Sequence, residues 1–357
     1  MSERRSTDMD RTTPGAPLRR YVPRVKRWLY RTGALSMIRR LRPSRGLAIL
    51  RYHAVSDPAT CEYADPSICV SPAGFDAHLD LLSARYTVVP LPDAVEALRA
   101  GESLAPNAVA ITFDDGYADN LVAARLLARR GMTATFYVTA GCIESESPLW
   151  MVEIRALVAR LTSPVLELVV DGRPIRLDAA PGRRRATIRS LSRLIKSETV
   201  PVRESLREQL RAQAGPAPTA SVMLSWHDLG EMLDLGMTIG AHTLTHANLP
   251  SAGPDVAHVE IAGSKSRLNA ALGVDVTQFS YPNGGAERYY DPFIRQLVVD
   301  AGFRGATTSN NGFVDATSDV FLLERLPVAD RVEDLAYTLE VERLIAGPEP
   351  GPQAALS

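Results

Sequence analysis

The stretch Ile111-Thr-Phe-Asp-Asp-Gly-Tyr117 constrains this chain more than any other. An apolar run, Ala108 to Phe113, leads into two adjacent carboxylates, Asp114 and Asp115, then Gly116 and a helix-like segment from Ala118 to Arg130. The run predicts a buried strand that delivers two acids to the edge where strands become loops. That edge is where α/β folds carry their chemistry. Adjacent carboxylates in a dry site repel each other unless a cation, a shared proton or full hydration relieves them. Helix capping explains one Asp before a helix. Two at the end of an apolar strand exceed what a cap requires.

A second cluster lies far downstream. His242 and His246 stand four apart in Gly240-Ala-His-Thr-Leu-Thr-His246, after the apolar run Met237 to Ala241. On a helix they would share a face; at a strand-to-loop turn they would converge equally well. Imidazole with carboxylate suits Zn, and also Ni, Co or Fe. One Asp and two His with open positions for water is the usual form of a hydrolytic metal site. The lone His78 and His258 fit satisfied core positions better, and His227, in a helix's first turn, is expected to be exposed.

Thr112-Phe-Asp-Asp-Gly116 followed by His242-Thr-Leu-Thr-His246 resembles the first two motifs of the polysaccharide deacetylases, the NodB-homology carbohydrate esterases of family 4. The resemblance spans roughly residues 46–344, with one long insertion. It implies an α/β fold, a distorted (β/α)7-type barrel. It implies metal-dependent hydrolysis of N-acetyl groups on an amino-sugar glycan, releasing acetate, with Zn the first expectation. Asp115, His242 and His246 resemble the family's metal ligands, and Asp114 its general base.

The family's third motif, Arg-x-Pro-Tyr, is broken. Aligned on Pro282, it puts Ser280 in the Arg position and Asn283 in the Tyr position. Tyr281, Pro282 and Asn283 remain the candidates for substrate and oxyanion contacts. Arg325, near the end of the last strand, is the candidate replacement for the missing arginine; the alternative pairs it with Glu324 or a loop acid. The family's late Leu-x-His is also missing, since no histidine follows His258. Tyr52-His53, after the first apolar run, resembles the early motif of the circularly permuted poly-N-acetylglucosamine deacetylases. On that resemblance His53 is the candidate general acid.

The rest of the chain reads as strand–helix alternation, hence a parallel sheet. Strands are expected at 46–53, 86–91, 133–138, 277–281, 305–308 and 321–326. Helices are expected at 75–83, 92–100, 225–235, 256–271, 291–301 and 332–344. Ser71, with Pro72 behind it, is the expected cap of the first of these. Residues 145–221 interrupt the pattern with a hairpin about Asp171-Gly172 and two Arg-rich helical stretches. The segment is expected to be an insertion that covers one side of the site, or a passive excursion. Trp226 reads as core rather than cleft.

Composition separates the ends from the middle. Residues 1–46 carry 13 Lys and Arg against three acids, and the remainder a net charge of −11. Met1 to Pro17 and the Pro/Gly-rich tail, 345–357, read as disordered. Between 18 and 42 the basic residues interleave with apolar ones as one or two amphipathic helices. Two readings stand for these: peripheral contact with an anionic membrane surface, or packing on the domain with a solvated basic face, which is favoured. Nucleic acid is not an expected partner, since no binding motif accompanies the charge. Three cysteines without metal spacing favour a reducing compartment. No signal peptide or transmembrane run is legible, so a cytoplasmic location is expected, at the inner membrane face under the first of the two readings of 18–42. The rival functions are a deacetylase or deformylase of a lipid- or nucleotide-linked sugar, and a barrel that binds glycan without turning it over.

Overall fold

The computed structural model describes residues 22–44, 46–145, 148–215, 222–283 and 289–346. The expected disorder at 1–17 and from 347 onward lies outside the described residues; residues 345–346, expected to begin the disordered tail, instead end the helical turn Arg343–Ala346. Two short helices come first, α1 (Val22–Arg31) and α2 (Ala34–Leu41). Gly33 turns the chain between them at φ 76°, a conformation that favours a residue without a Cβ.

The sheet begins with β1 (Leu47–Tyr52), β2 (Thr87–Val88), β3 (Ala108–Phe113) and β4 (Thr135–Val138). A separate antiparallel hairpin follows, β5 (Val165–Val170) and β6 (Arg173–Asp178). The sheet resumes with β7 (Thr238–Ala241), β8 (Gln278–Ser280), β9 (Gly305–Thr307) and β10 (Leu326–Pro327). Its order is β10-β1-β3-β4-β7-β8-β9, all parallel, with β2 and β4 sharing one edge of β3. Helices on the outside make the parallel crossovers, so the strands are buried on both faces. Every residue of β3 is buried, which accounts for its continuous apolar run. Phe113 stacks on Phe136 at 4.6 Å and on Tyr52 at 5.1 Å, tying three neighbouring strands together.

One segment joins the two ends of this curled sheet and makes it a distorted barrel. Ala306 and Thr308, in and just after β9, exchange backbone hydrogen bonds with Val320 and Leu323. Three residues later Leu326 pairs with Leu50 of β1. A segment that changes partner midway cannot keep one ladder. That is why the strand expected over 321–326 is regular only at Leu326–Pro327. The strand expected at 86–91 is likewise confined to Thr87–Val88, because a Pro90-initiated helix takes over at Leu91. The last helix is α-helical at Val332–Tyr337, then widens through Thr338–Glu342.

Capping follows the sequence signals. Ser71 Oγ accepts the Gly74 N–H at the start of Pro72–Arg85, and Ser225 with Asp228 forms a capping box at Trp226–Asp234. His78 is buried and meets the Tyr52 hydroxyl at 3.2 Å. His258 is a correction: it is exposed on the helix Pro254–Leu272, because its neighbours Ala257 and Glu260 take the buried face. His227 is exposed, and Trp226 is half-buried against the main core, with Arg267 over its ring.

Candidate active site

Strand geometry brings the two distant motifs together. β3, β4, β7 and β8 run parallel side by side, so their C-terminal ends share one rim. Asp114 and Asp115 leave β3 there, His242 leaves β7, and Ser280 ends β8. Neither Asp caps a helix, since the next one begins at Asn120. Asp115 instead adopts φ 77°, a strained conformation for a residue with a Cβ, and its carboxylate comes to face both histidines.

The histidines lie on a turn, not a helix. Thr243 at φ 63° and His246 at φ 57° fold the chain back, and Thr243 Oγ1 accepts the His246 N–H at 3.0 Å. The ring centroids end 4.8 Å apart. The loop after β4 supports this turn through the N–H groups of Ala140 and Gly141, which donate to the carbonyls of Thr243 and Leu244. A Cβ at Gly141 would sit 2.5 Å from the Leu244 oxygen, so only glycine permits the approach.

The donor set fits a divalent cation. His242 Nε2 lies 3.6 Å and His246 Nε2 3.4 Å from Asp115 Oδ1, and one ligand atom from each residue falls within 4.8 Å of the others. His242 Nδ1 sits 2.7 Å from the Ser280 carbonyl oxygen, which accepts its proton. That bond places the proton on Nδ1 and leaves the Nε2 lone pair facing inward, the arrangement a metal-ligating histidine needs. Burial pushes the His242 pKa down to about 4, so the ring is neutral. Burial would raise Asp115, but His246, above all, and the other imidazoles hold it at about 2.

Asp114 is held from the opposite side. Arg325, 0% exposed, crosses from just before β10 and grips it with two bonds: Nη1 to Oδ1 and Nη2 to Oδ2, both 2.7 Å. Its remaining donors reach Thr112 Oγ1, Ser280 Oγ and the Thr308 carbonyl. Burial alone would raise the Asp114 pKa; the guanidinium, with His242 and His53, holds it well below the usual carboxylate range. Arg325 therefore pairs with Asp114 and not with Glu324. It also corrects one expectation: a side chain with no exposure and all five N–H donors engaged cannot contact substrate. Ser280 is small enough to leave room for it.

His53 joins the same site, with Nε2 3.9 Å from Asp114 Oδ2. Its ring is about one-fifth exposed. Burial lowers its pKa, opposed by the two carboxylates. Of the three residues expected to meet substrate, Tyr281 is buried and its N–H donates to the Thr307 carbonyl, and Pro282 has no N–H. Asn283 stands apart: at φ 69°, its Nδ2 is a donor without a partner among the described residues.

Sequence reasoning missed several neighbours. Arg51 lies near enough to Arg325 and Asp114 to feel both charges, and burial followed by the Arg325 charge lowers its pKa to about 10; in the sequence it is one Arg in an apolar strand. Tyr117 lies buried beside Asp115, and Asp115 raises its pKa further after burial. The insertion supplies two more. Trp150 Nε1 donates to the His246 carbonyl at 3.2 Å. Arg203, 3% exposed, donates to the Thr245 carbonyl at 3.0 Å and to its Oγ1 at 2.7 Å. The insertion has its own apolar core, Ile154, Leu157, Leu166, Leu191, Leu206 and Leu210 among it, and clamps the turn that bears His246. No sequence signal distinguished these side chains from surface arginines.

The comparisons with known proteins bear on family and fold. The sequence profile of the polysaccharide deacetylases matches residues 101–306. No curated protein sequence gives a significant match. Among solved structures, the fold is similar to Streptococcus pyogenes deacetylase PplD in complex with acetate. The two are 21% identical over 84% of this chain and 100% of that one, with a TM-score of 0.56. It is also similar to a polysaccharide deacetylase from Bacillus cereus, 19% identical over 83% of this chain and 69% of that one, TM-score 0.54. IcaB from Ammonifex degensii matches at 19% identity over 83% and 98% of the two chains, TM-score 0.52. At these identities the likeness is one of fold.

Proposed function

The chain belongs to the polysaccharide deacetylase family, and from that premise we propose that it hydrolyses N-acetyl groups from an amino-sugar oligosaccharide or polysaccharide, releasing acetate. Members of this family are hydrolases of N-acetyl amide bonds. The catalytic unit in this reading is 46–344, with 145–221 inserted in it. The observation that carries the reading is the pairing of two sites on one rim: the Asp115–His242–His246 cluster and the arginine-held carboxylate of Asp114.

Asp115, His242 and His246 would hold the metal, with Zn, Ni, Co and Fe all compatible with the donors. A divalent cation there supplies Lewis-acid polarisation of the acetyl carbonyl and a lowered pKa for water. The chain's own residues do the rest. Asp114, kept ionised by Arg325, accepts the proton that water loses as it adds to the carbonyl carbon. His53, beside Asp114 Oδ2, gives a proton to the amide nitrogen as the C–N bond breaks, so acetate and a free amine leave. Asn283 Nδ2 is the donor available to the carbonyl oxygen as it becomes charged.

The test is metal content of the purified chain with acetate release from N-acetylated oligosaccharides. Near one metal per chain, lost together with activity in Asp115→Ala and in His242→Ala, supports the reading. Metal-free, inactive wild type after metal addition would leave a glycan-binding barrel. His53→Ala should keep its metal and lose about 10²–10⁴-fold in kcat; unchanged kcat would remove it as the acid.

A second substrate class has one observation in its favour. Arg155, Arg185 and Arg189 line a cavity of about 320 Å3 together with Cys61 and Asp65–Ser67, on the loop that follows β1. Arg155 is paired with Asp65 at 2.6 Å, while Arg185 and Arg189 meet no carboxylate among the described residues. Such a cavity suits the phosphates of a lipid- or nucleotide-linked sugar. Arg185→Glu with Arg189→Glu should then cost kcat/KM on a nucleotide-linked N-acetyl sugar and leave neutral oligosaccharides unaffected. Equal effects on both would favour the neutral glycan.

A further inference from the structure

The α1–α2 hairpin carries more charge than its packing uses. Residues 22–43 contain seven Lys and Arg and no acid. Three of the seven face the barrel: Lys26 pairs with Asp334 at 3.2 Å, Arg27 with Glu333 at 3.1 Å and Arg39 with Glu340 at 3.5 Å. Leu35 is buried, and Leu29, Tyr30 and Ile38 pack against the main core. So the hairpin is docked, as the favoured reading expected.

The opposite side remains. Arg24, Arg31, Arg40 and Arg42 are exposed and meet no carboxylate among the described residues. Beside them, Val22, Val25, Trp28, Met37 and Leu41 are 43%, 50%, 62%, 61% and 75% exposed. Helix spacing puts Arg24, Trp28 and Arg31 on one face of α1, and Met37, Arg40 and Leu41 on one face of α2. A helix that only docks on a domain keeps its outer face polar. This one interleaves large apolar side chains with arginines.

That composition selects its partner. The apolar side chains need a surface to enter, and the arginines need anions beside it. The headgroup boundary of an anionic bilayer offers both. A nucleic acid would use the arginines and leave Val25, Met37 and Leu41 exposed. A second copy of the face would oppose cation to cation. No described helix is long and apolar enough to cross a membrane, so the contact is one of lying on it. We infer that the outer face of the α1–α2 hairpin is a docking surface for an anionic lipid bilayer. The inference is independent of which substrate the rim takes.

The experiment is flotation of the full chain with vesicles of phosphatidylcholine alone and of phosphatidylcholine mixed with phosphatidylglycerol. Binding is expected only to the mixed vesicles, with release as salt is raised. Brominated lipid should quench a fraction of the tryptophan fluorescence that Trp28→Ser removes. Neutralising Arg24, Arg31 and Arg40 to Gln should weaken binding by about 100-fold. Acetate release from a dissolved oligosaccharide should stay unchanged in both variants, which shows that they fold. Failure to bind the mixed vesicles overturns the inference, as does binding that survives both sets of substitutions. Tighter binding to RNA or DNA than to vesicles would overturn it in favour of nucleic acid. A concentration-dependent dimer abolished by Trp28→Ser and Met37→Ser would overturn it in favour of a second copy.

Discussion

The two walls of the site are held in different ways. Asp114 is fixed by the barrel itself: Arg325 reaches it from beside β10, with Thr112 on β3 and Ser280 on β8 completing the net. His246 sits on a turn with two left-handed residues, and its carbonyl and that of Thr245 are bound by Trp150 and Arg203 from the insertion. The first wall is intrinsic to the parallel sheet. The second depends on a segment with a core of its own. Asp114 is therefore as stable as the barrel, whereas the turn that carries His246 depends in part on how the insertion docks.

The largest break is expected on the barrel wall. Arg325→Met leaves the Asp114 carboxylate buried and unpaired, and breaking a buried pair in this way costs ~3–5 kcal/mol. Calorimetry should show the melting temperature falling accordingly, with kcat falling alongside it. A change under about 1 kcal/mol would mean that water or a neighbour replaces the guanidinium.

Acid should separate the walls by a smaller margin. In chelator-treated protein, burial depresses His242 from 6.5 to about 4. The unfolded chain therefore takes up that proton first, and stability falls as pH drops from about 6.5 toward 4, by up to ~3 kcal/mol. Asp114, depressed in the folded state, contributes stability above the ordinary carboxylate range that is lost only in stronger acid. Amide exchange followed from pH 7 to 5 should loosen 242–246 before 108–114. Simultaneous loosening would mean that the walls are one unit.

Arg203→Met tests the insertion directly. Removing the clamp on Thr245 should weaken metal affinity by about 10–100-fold, the usual effect of losing an outer support of a ligand, as measured by competition with a chelator. Unchanged affinity in a less stable protein would make the insertion a scaffold without a part in the site.

How much of this was legible follows the same division. The strands that carry Asp114, Asp115, His242 and Ser280 were readable because a fully buried parallel strand writes a continuous apolar run. The place of His53 after such a run left its part open; only the resemblance of Tyr52-His53 to the family's early motif singled it out. The joining of the sheet's ends was not, because a segment that splits its hydrogen bonds between β9 and β1 leaves no regular pattern. Nor were Arg203, Trp150 and Arg51, since a buried arginine differs from a surface one only in what surrounds it. The strain at Asp115, Thr243, His246 and Asn283 was equally silent: none is glycine, and the sequence does not reveal that folding forces them to positive φ.

The smallest and sharpest effect concerns where the arginine comes from. The family's third motif places an Arg at the position of Ser280, whereas here the guanidinium arrives from residue 325. The Ser280 hydroxyl both accepts from Arg325 and lies 3.5 Å from Asp114, so the two positions converge on the same carboxylate. If the requirement is a cation against Asp114 and not a particular strand, moving it should be tolerated. Ser280→Arg alone should crowd a fully buried net and destabilise the protein. Combined with Arg325→Met, the new side chain has the vacated space and the same acceptor. The double variant should then recover several-fold more kcat than Arg325→Met alone, a coupling read from a double-mutant cycle. Additive losses would show that the route through Thr112 and Thr308, and not the charge alone, sets the position of Asp114.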